Sequence, residues 1–394
     1  MCRQWVDGPN GGWGIDIPSG SEYGKNDRGC QTDMQPECEV PTSSNGGMAL
    51  NPLGQTHDQF AAAFSLHSGK SAHNGLAVYR QVMKNGPARP QELAALSRCQ
   101  EAAGRLAKQL ERSAGRLVKR VSDGGVVKYV TRLADDLDIE SVLIPMSGRY
   151  TVCVSSQVGC RMGCRFCRTG RMGLLRNLTA AEIVGQVFAA RHQLGADVRN
   201  VVFMGMGEPL DNLDNVAQAI RVLTDQRGLD IARRRITVST AGLIAGVDRL
   251  ARMGGPPVHL AVSLNAPEDD LRSTLMPINR FNPMPALRDA LLRYPLSKKS
   301  VLFMEYVLIQ GFNDRREDAI ALARYLSPLK VRLNLIPYNP APGGAFQPPS
   351  AAACERFQAW LVAQNLFVRW RGEKGGRIMA ACGQLGATAG FRDR

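Results

Sequence analysis

The stretch Gly159-Cys160-Arg161-Met162-Gly163-Cys164-Arg165-Phe166-Cys167-Arg168-Thr169-Gly170 decides the reading of this chain. Cys160, Cys164 and Cys167 stand in a C-x3-C-x2-C spacing. Three thiolates this close can hold three corners of an iron–sulfur cube and leave the fourth iron open to a small molecule. The alternatives are a zinc loop or a chance grouping. Structural zinc usually closes with four Cys or His ligands, and no histidine lies near this loop to complete such a set.

Outward from the cysteines, the chain alternates short apolar runs with helical patterns from Tyr150 onward. Strands are expected at 151–156, 201–205, 236–240, 258–264, 301–309 and 331–336. Thr179-Ala180-Ala181-Glu182 forms a capping-box start for a helix that stops near Gly195. Residues 212–225 and 314–325 read as further crossover helices. Six such units make an α/β fold, an incomplete parallel (β/α)6 barrel over residues 150–386. The chemistry of such a barrel collects at the C-terminal ends of its strands.

The segments ahead of the barrel read differently. Residues 74–120 suggest a small helical accessory domain, with Leu93, Leu96, Leu106 and Leu110 spaced for a buried stripe. Residues 121–149 read as a β-hairpin connector, with a tight turn at Ser122-Asp123-Gly124-Gly125 ahead of its strand–turn–strand run. Residues 1–70 are rich in Gly, Ser, Asn and Pro and are expected to be a disordered acidic extension, with Met48 a candidate start of translation.

No run of about 18 apolar residues suggests a membrane span, and the first residues show no basic-then-apolar signal. The ten cysteines are scattered, which suits a reducing, cytoplasmic setting. Net charge is +14, with four Lys/Arg against eight Asp/Glu in residues 1–70, so the remainder carries +18. A basic body of this kind points to a polyanionic partner, nucleic acid first. Arg233, Arg234, Arg235, Lys298 and Lys299 are candidate phosphate contacts.

Three further pieces complete a pattern. Cys153-Val154-Ser155-Ser156-Gln157-Val158-Gly159-Cys160 sets a cysteine seven residues ahead of the loop. MGMGEPLDN follows at 204–212, and Ala380-Ala381-Cys382-Gly383-Gln384-Leu385 lies near the end. In this order, over roughly residues 75–386, the chain resembles the RlmN/Cfr family of radical S-adenosylmethionine (radical SAM) enzymes, which methylate adenine carbons in RNA. The resemblance implies a 4Fe–4S cluster on Cys160, Cys164 and Cys167, with Phe166 packing over the cofactor. It implies SAM held by Gly207, Glu208, Ser239, Ser263, Leu264, Asn265 and Asn339. Cys382 matches the cysteine that becomes S-methylated, Cys153 the one that resolves the adduct through a disulfide, and Glu140 the proton acceptor.

The chemistry explains the parts. Adenine C2 and C8 are poor nucleophiles, so polar methyl transfer fails, whereas a thiolate can take a methyl from one SAM by displacement. A second SAM then supplies the radical that activates the S-methyl group. The expected product is methylation at C2, with C8 as the alternative, in 23S ribosomal RNA, transfer RNA or both. An external donor such as flavodoxin or ferredoxin and a monomeric protein are expected with it. This sequence departs from the family pattern at Asn265, where His is frequent, at Arg377, where Asp is frequent, and in the basic stretch 168–178. Two other readings compete. A radical SAM enzyme for sulfur insertion or peptide modification would commonly show a second cysteine group. A non-enzymatic basic RNA-binding metal protein would have no use for Cys382.

Overall fold

The computed structural model describes residues 50–68, 71–86, 115–255, 257–372 and 375–386, all within one compact unit, Met48–Arg394. The strands in chain order are β1 (Arg116–Asp123), β2 (Val126–Arg132), β3 (Asp138–Met146), β4 (Arg149–Cys153), β5 (Gln157–Cys160), β6 (Gly173–Asn177), β7 (Val198–Phe203), β8 (Ile236–Thr240), β9 (His259–Ser263), β10 (Leu302–Leu308), β11 (Val331–Pro337) and β12 (Val368–Trp370). The helices are α1 (His57–Ser68), α2 (Ala72–Asn85), α3 (Arg168–Met172), α4 (Ala180–His192), α5 (Leu213–Thr224), α6 (Ile244–Ala251), α7 (Asp269–Leu275), α8 (Met284–Arg293), α9 (Arg316–Leu326) and α10 (Ala351–Ala363).

Ten strands form one sheet in the order β1-β2-β3-β4-β7-β8-β9-β10-β11-β12, and β5 and β6 pair separately. From β4 onward every neighbour is parallel. Each parallel step is bridged by helix: α4, α5, α6, the pair α7 and α8, α9, then α10. The terminal strands β1 and β12 do not pair with each other, so the barrel is open. The six expected strands are all present, and β12 adds a short seventh. Near-continuous apolar runs explain the parallel strands, since both faces are covered; Val201, Ile236, Val238, Val262 and Leu333 are buried. Thr179 caps α4 as its sequence implied, accepting from the Glu182 amide while the Glu182 side chain accepts from the Thr179 amide.

The N-terminal third differs from the expected plan. The hairpin is no separate connector. β1, β2 and β3 are antiparallel and continue the barrel sheet through the β3–β4 pair. β1 occupies residues assigned to the helical domain, whose end at 120 is therefore corrected. Its sequence, RLVKRVSD, is charged because it is an edge strand, and edge charge discourages further pairing. α2 overlaps the start of the expected helical segment; Leu93, Leu96, Leu106 and Leu110 fall outside the described residues.

Residues 1–49 also lie outside the described set, but the tail of the expected disordered extension is folded. α1 belongs to the main core. Leu50, Leu53, Phe60 and Phe64 are buried, the His57 amide donates to Asp225 Oδ2 at 2.7 Å, and Gln218 Nε2 donates to the Gly54 carbonyl at 3.0 Å. The Phe60 ring lies 5.7 Å from that of Tyr79 on α2. The run FAAAF was hidden within a Gly- and Ser-rich neighbourhood. Phe60→Ala is expected to lower stability by about 3–5 kcal/mol, the usual cost of emptying a buried aromatic site. Chemical denaturation of the full chain measures it; an unchanged midpoint would detach α1 from the core.

Candidate active site

The turns that follow the parallel strands converge on one cavity of about 180 Å³. A single water needs roughly 10–15 Å³ by such a measure, so the space is built for more than solvent. Cys153, Cys160, Cys164, Cys167 and Cys382 all line it.

The cysteine loop is shaped by a small hairpin. Cys160 ends β5, opposite Gly173 on β6. Gly159 adopts φ +77°, and a Cβ there would lie 1.9 Å from the Gly173 carbonyl oxygen, so only glycine fits. The Cys167 amide donates to the Cys164 carbonyl at 3.0 Å, and Cys167 is the N-cap of α3. Burial pushes the Cys160 thiol up to about 12. Burial raises Cys164 well above the thiol range, with Cys167 and Cys160 adding to the effect, and burial raises Cys167 as well.

Three neighbouring thiols therefore resist ionisation together until a cation joins them, and metal coordination reverses that balance. Among the described residues no three Cys, His, Asp or Glu side chains converge to hold one metal ion. A cube takes each thiolate at a different iron and asks for thiols spread around a cavity wall rather than aimed at one point. The arrangement fits the cluster better than zinc.

Across the cavity lies Glu208. Its Oε1 accepts from the Leu210 amide at 3.1 Å and its Oε2 from the Ala241 amide at 2.7 Å. Burial pushes its carboxyl up to about 7, although those amides and Thr240 pull it down. Gly207, at φ +99°, would place a Cβ 2.5 Å from the Gln157 side chain. Gln157 accepts from the Glu208 amide at 2.8 Å and donates to Asp211 at 2.8 Å. The Gly-Glu-Pro turn is thus locked against the strand that carries Cys160.

Ser239, Ser263 and Asn265 line the cavity at the ends of β8 and β9. Asn265 sits at φ +59°, a region Asn tolerates better than most residues. Its Oδ1 accepts from the Val307 amide at 2.9 Å. Leu264 is fully buried and is not among the lining residues. Asn339 is also outside the lining; its Nδ2 donates to the Cys382 carbonyl at 3.3 Å.

Cys153 and Cys382 share the cavity but differ in exposure: Cys153 is buried at the end of β4, while Cys382 is exposed. Burial pushes Cys153 up to about 12, with Cys382 adding to the rise. Desolvation raises Cys382 as well, and Arg371 works in the opposite direction. Both thiols are free, so the disulfide implied by the resemblance is not a feature of this structure. Glu140 stands apart from the cavity lining. Its Oε2 accepts from the Gly386 amide at 2.7 Å and its Oε1 pairs with Lys128 at 3.0 Å.

Sequence reasoning missed several site residues. Arg371 and Glu305 line the cavity and pair at 3.2 Å, with Asn334 donating to Glu305 at 2.7 Å. A carboxylate inside the apolar run VLFMEYVLI was the available clue to Glu305. Arg272 is fully buried and donates to the carbonyls of Leu264, Ser263 and Ala241 and to Asn279 Oδ1, fixing the turns after β8 and β9. Arg233–Arg235 precede β8, and Lys298 and Lys299 precede β10. These basic residues therefore lie at the strand N-termini, opposite the cavity. Arg161, Arg165 and Arg171, on the cysteine loop and α3, are exposed on the cavity side.

A family model described as the radical SAM superfamily matches residues 154–323. A probable dual-specificity RNA methyltransferase RlmN of Protochlamydia amoebophila is 43% identical over 341 residues, covering 86% of this chain and 94% of its own length. The chain belongs to the RlmN family. A dual-specificity RNA methyltransferase RlmN of Geobacter sulfurreducens is 44% identical over 327 residues, covering 82% of this chain and 88% of its own. The crystal structure of a radical SAM methyltransferase from Sphaerobacter thermophilus matches with a TM-score of 0.80 at 39% identity, covering 86% of this chain and 99% of that one. The protein is therefore a radical SAM enzyme, and the reading as a non-enzymatic metal-loop protein is withdrawn.

Glu208 carries a testable pH signature. Its folded pKa of about 7 lies above the ordinary 4.5, so the folded state holds the extra proton between those values. Its contribution to stability therefore falls as pH rises through that window. Glu208→Gln removes the penalty, and the variant should gain up to about 3 kcal/mol relative to wild type at pH 8 compared with pH 4. Denaturation curves at the two pH values test this; an equal difference at both would mean the carboxyl is not desolvated.

Proposed function

We propose that the protein methylates an adenine carbon of RNA, C2 in preference to C8, in 23S ribosomal RNA, transfer RNA or both, through an S-methylcysteine on Cys382. The observation that carries this reading is that two thiols outside the C-x3-C-x2-C loop, Cys382 and Cys153, line the same cavity as its three. A sulfur-inserting or peptide-modifying enzyme has no stated use for that pair.

Cys160, Cys164 and Cys167 would hold the 4Fe–4S cluster, which when bound supplies the electron that cleaves SAM, received from a flavodoxin- or ferredoxin-type donor. Glu208, with its two oxygens already oriented by backbone amides, suits the SAM ammonium, whose charge would return the carboxyl to its ionised form. Gly207, Ser239, Ser263 and Asn265 shape the rest of that pocket. Leu264 contributes backbone, and Asn339 orients the Cys382 loop.

The residue roles follow from exposure and charge. Cys382 is open to the cavity and faces the cationic Arg371, so its thiolate can take the methyl group from a first SAM, with S-adenosylhomocysteine as the leaving group. Cys153 is buried beside it, and burial pushes its thiol up to about 12, which suits a thiol that acts second. Its attack on the Cys382 sulfur forms the disulfide, breaks the carbon–sulfur bond and releases the base. Glu140 takes the ring proton once its carboxylate is free. Arg161, Arg165 and Arg171 are better placed for RNA phosphate than the arginines before β8. The proposed setting is cytoplasmic RNA and the proposed state a monomer; among the described residues no helix is long and apolar enough to cross a membrane.

Cys153→Ala should therefore accumulate a covalent protein–RNA conjugate, seen as a nuclease-sensitive shift on a denaturing gel. Cys382→Ala should form none, and the double variant should match Cys382→Ala. Free methylated RNA from either single variant would overturn the division of labour.

A further inference from the structure

The loop that carries Cys382 is held from two sides. The barrel rim grips its middle: the Arg168 amide donates to the Gly383 carbonyl at 2.8 Å, Thr169 Oγ1 to the Leu385 carbonyl at 2.6 Å, and Gln384 Nε2 to the Pro340 carbonyl at 2.8 Å. The β2–β3 hairpin grips its two flanks through the side chains of Lys128 and Glu140. Val130 pairs with Glu140 and Lys128 with Val142, so Lys128 and Glu140 fall on one face of the hairpin, where they join at 3.0 Å. Cys153 lies opposite Val142 and shares that face. Lys128 Nζ donates to the Met379 carbonyl at 3.2 Å, and the Gly386 amide donates to Glu140 Oε2 at 2.7 Å. Met379 precedes Cys382 by three residues and Gly386 follows it by four.

We propose that the Lys128–Glu140 ion pair is a clamp that positions Cys382, and that opening the clamp is what releases the Glu140 carboxylate. Lys128 is then a positioning residue, acting on the reactive sulfur through the loop backbone. The two side chains are only 12% and 7% exposed. A buried pair of this kind adds little stability against an apolar replacement, so a role in fixing geometry accounts for it better. Met379 is held at φ +55°, uncommon for a side chain that is not glycine. Such a conformation persists only where neighbours enforce it, and Lys128 bonds that residue's carbonyl. Each Glu140 oxygen holds one partner in this structure, Lys128 on Oε1 and the Gly386 amide on Oε2. Withdrawal of the loop would break the Gly386 contact and expose the proton acceptor in the same motion. This second half rests on the proposed role of Glu140.

Hydrogen–deuterium exchange on the anaerobically purified, cluster-containing enzyme tests the clamp without RNA or turnover. In Lys128→Met, amides of residues 379–386 should exchange about ten- to a hundredfold faster, the factor set by one charge-assisted hydrogen bond, and iodoacetamide should label Cys382 faster. Lys128→Arg should restore both, while α4 stays protected throughout. Unchanged exchange in Lys128→Met, or a rise that extends to α4 and is not rescued by Arg, would overturn the clamp. In single-turnover assays Lys128→Met should slow methyl loading of Cys382 and leave resolution of the RNA conjugate unslowed; the opposite pattern would overturn the coupling to Glu140. An absence of any methylation in wild type would refute the proposed function and leave the exchange result standing.

Discussion

Desolvation of one cavity is the constraint on which the rest of this structure depends. Five thiols and two carboxylates, Glu208 and Glu305, line a space closed by the strand ends and the Cys382 loop. Burial pushes Cys153 and Cys160 up to about 12 and Glu208 up to about 7. Burial thus opposes the charged form of each of these groups. A ligand of opposite sign would offset that cost. Arg371 is the cation already in place, paired with Glu305 and lowering the cost of a thiolate at Cys382.

The scaffold serves that constraint. Parallel strands end on one side, and each contributes a turn: Gly207 and Glu208 after β7, Ser239 in β8, Ser263 and Asn265 at β9. Arg272 ties the β8 and β9 turns together from beneath through backbone carbonyls. The antiparallel hairpin then supplies the wall that the open barrel lacks. Val126 and Val142 pack with Cys153, Ala380 and Leu385, so the reactive loop rests on an apolar seat flanked by the Lys128–Glu140 pair.

The barrel was legible because both faces of its strands are buried, which turns each into an apolar run bounded by turn residues. The cysteine loop, the Gly-Glu-Pro turn and the two outlying cysteines were legible because their chemistry dictates residue type and order. β1 was not, because its exposed edge is charged and breaks the alternation. α1 was not, because Phe60 and Phe64 gain meaning only against Tyr79, distant in sequence. Lys128 and Arg371 were illegible for a related reason. A single basic residue on a strand looks solvated until tertiary contacts show what it faces. The basic run at Arg233–Arg235 shows a further limit, since charge density carries no information about which end of a barrel it occupies.

Locating the first methyl group tests the central claim most directly. The cluster-containing enzyme, incubated with SAM and no RNA, is digested and its cysteine peptides are sequenced by tandem mass spectrometry. The account requires the methyl on the peptide containing Cys382 and none on that containing Cys153, although both thiols line one cavity. A methyl on Cys153, or no methylated cysteine at all, would contradict it.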